Sequence, residues 1–558
     1  MAGGLMNLVA QGQQNIILNG NPSKTFWKTS YKRYTNFGMQ KFRLDYSGST
    51  FLRLTEDSTF TFKVSRYGDL LIDTFLTINL PNIWSPVFPP QVLSTNGECC
   101  TCYSNWAPYE FKWIENIGAQ MIRRITVSCG GQKLQEFSGQ YLLSMVQRDF
   151  SAEKKALFDE MSGNIPQLND PANYGARVNS YPNAFYTDSP AGAQPSINST
   201  SLYIPLNLWF NLKSQMAFPL VSLQYNQLEI QITLRPIYEL FVIRDVGDVV
   251  NNFPYVQPNF NQFYMQMYRF LQTPPDTILG PLSYVDTRST WDTDIHLTCT
   301  YAFLSNDEQK MFAKNEQKYL IRQVRETTFY NVTGPNKVEL NSIGLVSSWM
   351  WYFQRSDANL RNQWSNYTNW PYNYMPNDIT LASQAGTYQL LNGSTIGPGI
   401  NPNCTLTGLF TTGVYTPQNI KEILLLLGIS IDGQYRENLQ PAGVYSFVEK
   451  YVRTAGNAQQ YLYCYNFCLN TSPFDLQPSG AMNMNRFYLI EFDFTTITPP
   501  LDPYAQALTI CDPQTGDIVG INKPTWRIYE YNFNMVLFEE SFNVVTFIGG
   551  NCGLAYAI

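Results

Sequence analysis

Ile125–Gln147 reads ITVSCGGQKLQEFSGQYLLSMVQ, and Leu427–Glu449 reads LGISIDGQYRENLQPAGVYSFVE. The two stretches align without a gap, Gln434 following Gln132 by 302 positions. Identities fall at Ser128/Ser430, Gly131/Gly433, Gln132/Gln434 and Ser144/Ser446, and apolar positions coincide at Val127/Ile429, Leu142/Val444 and Met145/Phe447. Each copy reads as a β-branched strand, a two-residue turn, a return strand and then an apolar-periodic segment. The turns, Gly130-Gly131 and Asp432-Gly433, suit a type I′ hairpin, because both central residues need φ > 0. An offset of a little over half the chain is what a duplicated domain gives.

Outward from this repeat, period-two alternation marks Phe60–Arg66, Gln227–Leu234 and Arg486–Thr495 as half-buried strands. Leu70–Leu80, Ser201–Leu206, Pro219–Arg235, Leu297–Leu304, Tyr319–Val332, Val346–Phe353 and Asn543–Ile548 read as further strands. Ser151–Met161 is helical, with Leu157, Phe158 and Met161 on one face. Ser305-Asn-Asp-Glu308 reads as a capping box opening a helix to about Lys318. Pro81–Pro108, Ser162–Ser201 and Gln354–Gln418 are long loops rich in Asn, Gly and Pro, and the first and last of them precede the two hairpins. The expected fold is all-β: two consecutive eight-stranded antiparallel jelly-roll sandwiches with long loops and a few short helices. The expected division is 1–23 N-terminal arm, 24–304 first sandwich, 305–323 linker helix, 324–548 second sandwich and 549–558 C-terminal tail.

Bulk composition agrees with that class. The 558 residues are too many for one ordinary core. Only 14% are charged while 15% are aromatic, and 35 Gly and 33 Pro supply turns. A net charge of −6 argues against bulk or direct nucleic-acid binding, which needs a basic surface. Positive charge gathers at Lys24, Lys28, Lys32, Arg33, Lys41 and Arg43, within an aromatic stretch, as a solvated face or a contact for an acidic partner. The N-terminus lacks the basic and apolar regions of a secretory signal, and no apolar run reaches the ~20 residues of a membrane helix.

Chemistry has little to work with. His296 is the one histidine and lies in an alternating strand, so triads and His-based metal centres have no basis. Cys99-Cys100-x-Cys102 lacks the partners of a zinc site, Cys464 and Cys468 read as core, and Asp512–Asp517 reads as a turn. No catalytic residue, cofactor-binding residue or metal ligand is nominated, and no cofactor is expected. Six N-x-S/T motifs, at Asn198, Asn331, Asn366, Asn392, Asn403 and Asn470, are candidate glycosylation sites, several of which chance alone would place in so Asn-rich a chain. Glycoside hydrolysis needs no histidine. Trp349, Trp351, Trp364 and Trp370 could stack on sugars or face a core. A two-domain β-sandwich carbohydrate-binding protein or glycosidase is therefore the alternative reading, with a viral fibre or receptor-binding protein behind it.

Several stretches together resemble the major capsid proteins of the nucleocytoplasmic large DNA viruses. They are Gly3–Gly12 continuing through Asn21-Pro22 to Tyr31–Phe37 (YKRYTNF), Phe218–Tyr225 (FPLVSLQY), Ile429–Asn438 (ISIDGQYREN), Pro478–Arg486 (PSGAMNMNR) and Gly549–Tyr556 (GGNCGLAY). They span nearly the whole chain, and the long loops carry no match. The resemblance implies a double jelly roll and a structural rather than enzymatic role. Homotrimers would form pseudo-hexagonal capsomers tiling an icosahedral virion shell over an internal membrane, built and assembled in the host cytoplasm. It also implies neighbouring capsomers, minor capsid proteins, a penton protein and the inner membrane side as partners. Lys24, Lys28, Lys32 and Arg33 are then the candidate contacts at the capsomer base.

Overall fold

Alternation becomes burial in the clearest strands. In Leu228–Leu234 (LEIQITL), Leu228, Ile230, Ile232 and Leu234 are buried and Glu229, Gln231 and Thr233 are not. Ile490–Thr496 (IEFDFTT) repeats the pattern. Strands with one apolar face each must stack as two sheets. The computed structural model describes residues 3–48, 51–85, 87–88, 93–95, 98–100, 107–108, 110–177, 180–182, 184, 194–246, 254–274, 284–373, 388–390, 395–396, 410–412, 420–502, 508–522 and 528–556.

The long strands of the first half are β1 (Phe37–Leu44), β2 (Ser58–Lys63), β3 (Leu70–Leu80), β4 (Ile122–Cys129), β5 (Gln132–Phe137), β6 (Thr200–Pro205), β7 (Leu228–Leu234) and β8 (His296–Leu304). One sheet runs β1-β8-β3-β6 and the other β5-β4-β7-β2, all antiparallel. The second half has β9 (Gln317–Phe329), β10 (Pro335–Glu339), β11 (Leu345–Arg355), β12 (Leu424–Ile431), β13 (Gln434–Pro441), β14 (Tyr463–Asn466), β15 (Ile490–Thr496) and β16 (Phe533–Ile548). Its sheets run β9-β16-β11-β14 and β10-β15-β12-β13, again antiparallel. Adding eight to every strand of the first sandwich yields the order of the second. One jelly-roll topology thus occurs twice in succession. Short strands at Ser47–Gly48, Phe218–Pro219, Met482–Asn483 and Asn551–Leu554 extend the sheets.

The repeated hairpin holds its offset in space. β4 and β12 begin 302 residues apart, as do β5 and β13. Gly130 and Gly131 have φ of 59° and 83°, and Asp432 and Gly433 of 49° and 81°, as a type I′ turn requires. A helical segment follows each hairpin: α1 (Gly139–Asp149) in the first sandwich, and a π-turn at Val444–Val448 in the second.

Several boundaries differ from the sequence reading. The first sandwich begins at Phe37, not residue 24: β1 is an exposed edge strand, and its mixed Lys and Arg content hid it inside the basic stretch. The helix expected from Ser305 to Lys318 is α3 (Asn306–Lys314; α2 being Ala152–Met161), and the Ser305 side chain makes no cap. β9 starts at Gln317, inside the span expected as linker, because it pairs with β16 in unbroken register from Gln317↔Phe547 to Phe329↔Met535. β16 itself is 16 residues long, although only Asn543–Ile548 alternates visibly. Much of its first half is buried on both faces, so period two disappears there. β10 and β14 escaped the sequence reading altogether. About half of Pro81–Pro108 and more than half of Gln354–Gln418 lie outside the described residues.

Gly139, at the N-terminus of α1, sits where a Cβ would meet the Ala119 carbonyl oxygen at 1.9 Å and that of Ile122 at 2.6 Å. Both obstacles are backbone. Gly139→Ala is expected to destabilise the chain by about 3 kcal/mol, read as a lowered urea midpoint with unchanged slope.

Candidate functional site

Chemistry-bearing residues are occupied structurally. His296 Nδ1 lies 2.8 Å from the Asp294 carbonyl oxygen, and Asp294 is paired with Arg43 at 2.6 Å. Cys464 and Cys468 are buried, as their reading as core requires, while Cys102 lies outside the described residues. Asp512 accepts from the Gln514 amide at 2.7 Å in a turn. Trp349 and Trp351 are fully buried among Tyr463, Tyr465 and Phe492, so neither is a sugar platform. Trp364 is packed under the Arg235 guanidinium at 4.2 Å. A polar cavity of about 850 Å³ holds Glu110, Lys112, Glu115 and Arg244. There Glu110 accepts from Arg244 at 3.0 Å and from Tyr255, and Lys112 stands 3.7 Å over the Tyr255 ring. Burial pushes Lys112 down and Glu115 up from their ordinary pKa values. These charges serve one another. No grouping of three His, Cys, Asp or Glu residues suited to a metal ion occurs among the described residues.

The most developed polar constellation lies between the sandwiches. Ser138 caps α1 by accepting from the Tyr141 amide at 3.2 Å, and all eleven residues of α1 are buried. Arg148 has no exposure. It donates to both Asp149 oxygens at 3.0 and 2.7 Å, and across the boundary to both oxygens of Glu540 on β16 at 2.9 and 3.0 Å. Tyr141 and Ser348 donate to Glu540 at 2.7 and 2.6 Å, and Thr471 to Asp149 at 2.6 Å. Burial works against the Glu540 carboxylate, but Arg148, Arg322 and these donors prevail and hold its pKa below the ordinary value. At Asp149 burial prevails over Arg148 and the pKa is raised. Gly456 of the second sandwich caps the far end of α1, its amide donating to the Arg148 carbonyl at 2.8 Å. A Cβ there would lie 2.7 Å from three α1-end carbonyl oxygens. Sequence reasoning passed over all of these residues. The available signal was the adjacent Arg148-Asp149 pair closing the apolar-periodic segment after the hairpin, and Glu539-Glu540 in a run of strand formers.

Lys24, Lys28, Lys32 and Arg33 stand together on an arm, residues 3–36, that is exposed throughout. Phe26, Trp27, Tyr31 and Tyr34 on the same arm are 86–95% exposed. Lys41 and Arg43 belong instead to β1. Of the N-x-S/T motifs, Asn198, Asn331 and Asn470 are exposed. Asn366 is buried, its amide donating to the Trp370 carbonyl at 2.8 Å. Asn392 and Asn403 lie outside the described residues.

Residues 25–272 match the family model for the major capsid protein N-terminus. The chain is 25% identical to the major capsid protein of Phaeocystis pouchetii virus over the full length of both. It is 30% identical to that of Chrysochromulina ericina virus, over 63% of this chain and 58% of the other. Over its whole length the chain is similar to the major capsid proteins of the large DNA viruses. The solved Faustovirus major capsid protein shares the fold, with a TM-score of 0.58 at 13% identity over 97% of this chain and 96% of that one. The chain is a structural component of the virion capsid. The expected double jelly roll is thereby established.

In a capsid subunit the Arg148 cluster is a one-orientation lock. Arg148→Met leaves Asp149 buried without its cation and Glu540 with only Arg322 at 3.8 Å, and is expected to cost about 3–5 kcal/mol. Replacing Arg148, Asp149 and Glu540 together with apolar residues is expected to cost less than the single change. Urea unfolding of both variants checks the order.

Proposed function

We propose that three copies of the chain associate into a pseudo-hexagonal capsomer, and that capsomers tile an icosahedral shell. The observation that carries this reading is the repeated topology. Two sandwiches of identical strand order, locked side by side, give six similar units when a threefold axis acts on the chain. Composition supports it, since low charge leaves broad neutral polar and aromatic surfaces suited to the ~2,000 Å² or more of obligate contacts. Shell formation occurs in the host cytoplasm, around an inner membrane and with a penton protein at the vertices. The role is structural, and no turnover is assigned.

The exposed arm reaches out from the base of the subunit to minor capsid proteins or the membrane side. Its cations and bare aromatic rings support that role, since among the described residues neither has a partner outside the arm.

Light scattering of the purified protein, with negative-stain images of the same peak, is expected to give three chains and hexagonal outlines. A folded monomer would reopen the carbohydrate-binding alternative. Reversal of Lys28, Lys32 and Arg33 to Glu is expected to leave that mass unchanged and to impair shell assembly. Normal particles from this variant would remove the arm from the contact.

A further inference from the structure

The helical segment after the hairpin has different surroundings in the two sandwiches. In the first, α1 is covered along its whole length. In the second, the π-turn Val444–Val448 runs into α4 (Glu449–Arg453) and only one face is covered. Tyr445, Ser446 and Lys450 face inward, Tyr445 with its ring 5.4 Å from Trp351 and its hydroxyl donating to the Leu427 carbonyl at 3.0 Å. The 302-residue offset pairs Met145, Val146 and Phe150, none more than 4% exposed, with Phe447, Val448 and Val452 at 63, 53 and 57%. It pairs Asp149 with Tyr451, which is 92% exposed. Four large side chains on neighbouring turns thus form an open apolar patch where the equivalent face of the first sandwich is sealed.

The surface that seals α1 also has a counterpart. α1 lies on the outer face of β16 and β11, the Tyr141 ring 5.6 Å from Phe538 and its hydroxyl on Glu540. There Glu540 pairs with Ser348, and the register shifts between Ser348 and Val346. The first sandwich has the same irregularity: Thr300 of β8 pairs with Asp73 of β3, and the next pair is Tyr301 with Leu71. A shared bulge fixes the register between the sheets. Thr300 therefore occupies the place of Glu540, and by alternation Thr298 and Ala302 occupy those of Phe538 and Phe542. Bulk is exchanged between the two versions. Within the chain, Phe538 on the sheet meets Tyr141 on the helix, and Phe542 lines the same cavity as Met145. In the first sandwich the small residues of β8, with Thr300 and Ala302 only 6 and 4% exposed between the larger side chains of β1 and β3 such as Lys41 and Asp73, correspond to the phenylalanines, and Phe447 and Tyr451 correspond to Met145 and Asp149 on the helix. Thr300 Oγ1 is buried without a hydrogen-bond partner among the described residues, and Met39, beside Ala302 in the sheet, is 62% exposed.

We infer that Phe447, Val448, Tyr451 and Val452 dock on the β1-β8-β3 face of the first sandwich of a second copy. The contact repeats between chains what α1 makes within one, with large-on-small packing in the reverse sense. The inference rests on the trimer reading above and specifies its interface. Exposed aromatics at the centre of such a patch are the residue types that dominate binding energy.

The test uses the full-length protein. Wild type is sized first, followed by the double variant Phe447→Asp/Tyr451→Asp, with thermal melting as the control for folding. Association is expected to weaken about 100-fold or more, so that the variant runs as a folded monomer where wild type runs as a trimer. A photoreactive phenylalanine at position 451 is expected to crosslink to peptides containing 37–44, 70–80 or 296–304 of another copy. A trimeric wild type whose double variant is equally trimeric, or whose crosslinks map to other peptides, overturns this interface and leaves the trimer standing. A wild type that is monomeric at every concentration overturns both.

Discussion

Arg148 is sealed from water between its neighbour Asp149 and Glu540 of the opposite sandwich. Taking three charges out of water costs several kcal/mol per ion unless every donor and acceptor is met. Here Tyr141, Ser348 and Thr471 complete the set, drawn from α1, β11 and the stretch before β15. Only one relative placement of the sandwiches satisfies all of them. A displacement of a few ångströms would strand a buried carboxylate, so the cluster fixes orientation more than it adds stability.

The rest of the contact is consistent with that constraint. The edge strands that face each other, β5 and β9, are joined by side chains: Gln135 donates to the Arg322 carbonyl at 3.3 Å and Gln323 to the Leu134 carbonyl at 2.9 Å. The edges are thereby covered without merging two sheets into one. The apolar core of the first sandwich continues through α1 to Tyr352, Met350 and Phe538 of the second. A shell subunit has to transmit load without hinging, and a shared core with glycine-tight approaches at Gly139 and Gly456 meets that need. On one chain the repeated topology leaves one copy of the helix face covered and the other bare, which is what an assembly closing on further copies of itself requires.

The hairpin repeat, its φ > 0 turns, the alternation in β7 and β15 and the two-sandwich class were all legible in the sequence, because each is a local pattern with a period or a turn chemistry. The edge strand β1, the linker end at Gln317 and the first ten residues of β16 were not. Their extent follows from partners hundreds of residues away: β16 draws its length from β9 and β11, which flank it. The aromatic residues at Trp349 and Trp351 were ambiguous for the same reason, since spacing gives a shared face but not what lies against it.

By itself the sequence determined that two similar β units follow one another, that a single histidine is available and that charge is scarce. Short-range physics suffices for these: turn dihedrals, side-chain alternation and composition. Only the tertiary structure decided that Arg148 and Glu540 meet, that α1 is buried and that its counterpart at Phe447–Val452 is open. Burial is a property of what the chain brings together, and residues nearly 400 positions apart carry no periodic sign of meeting.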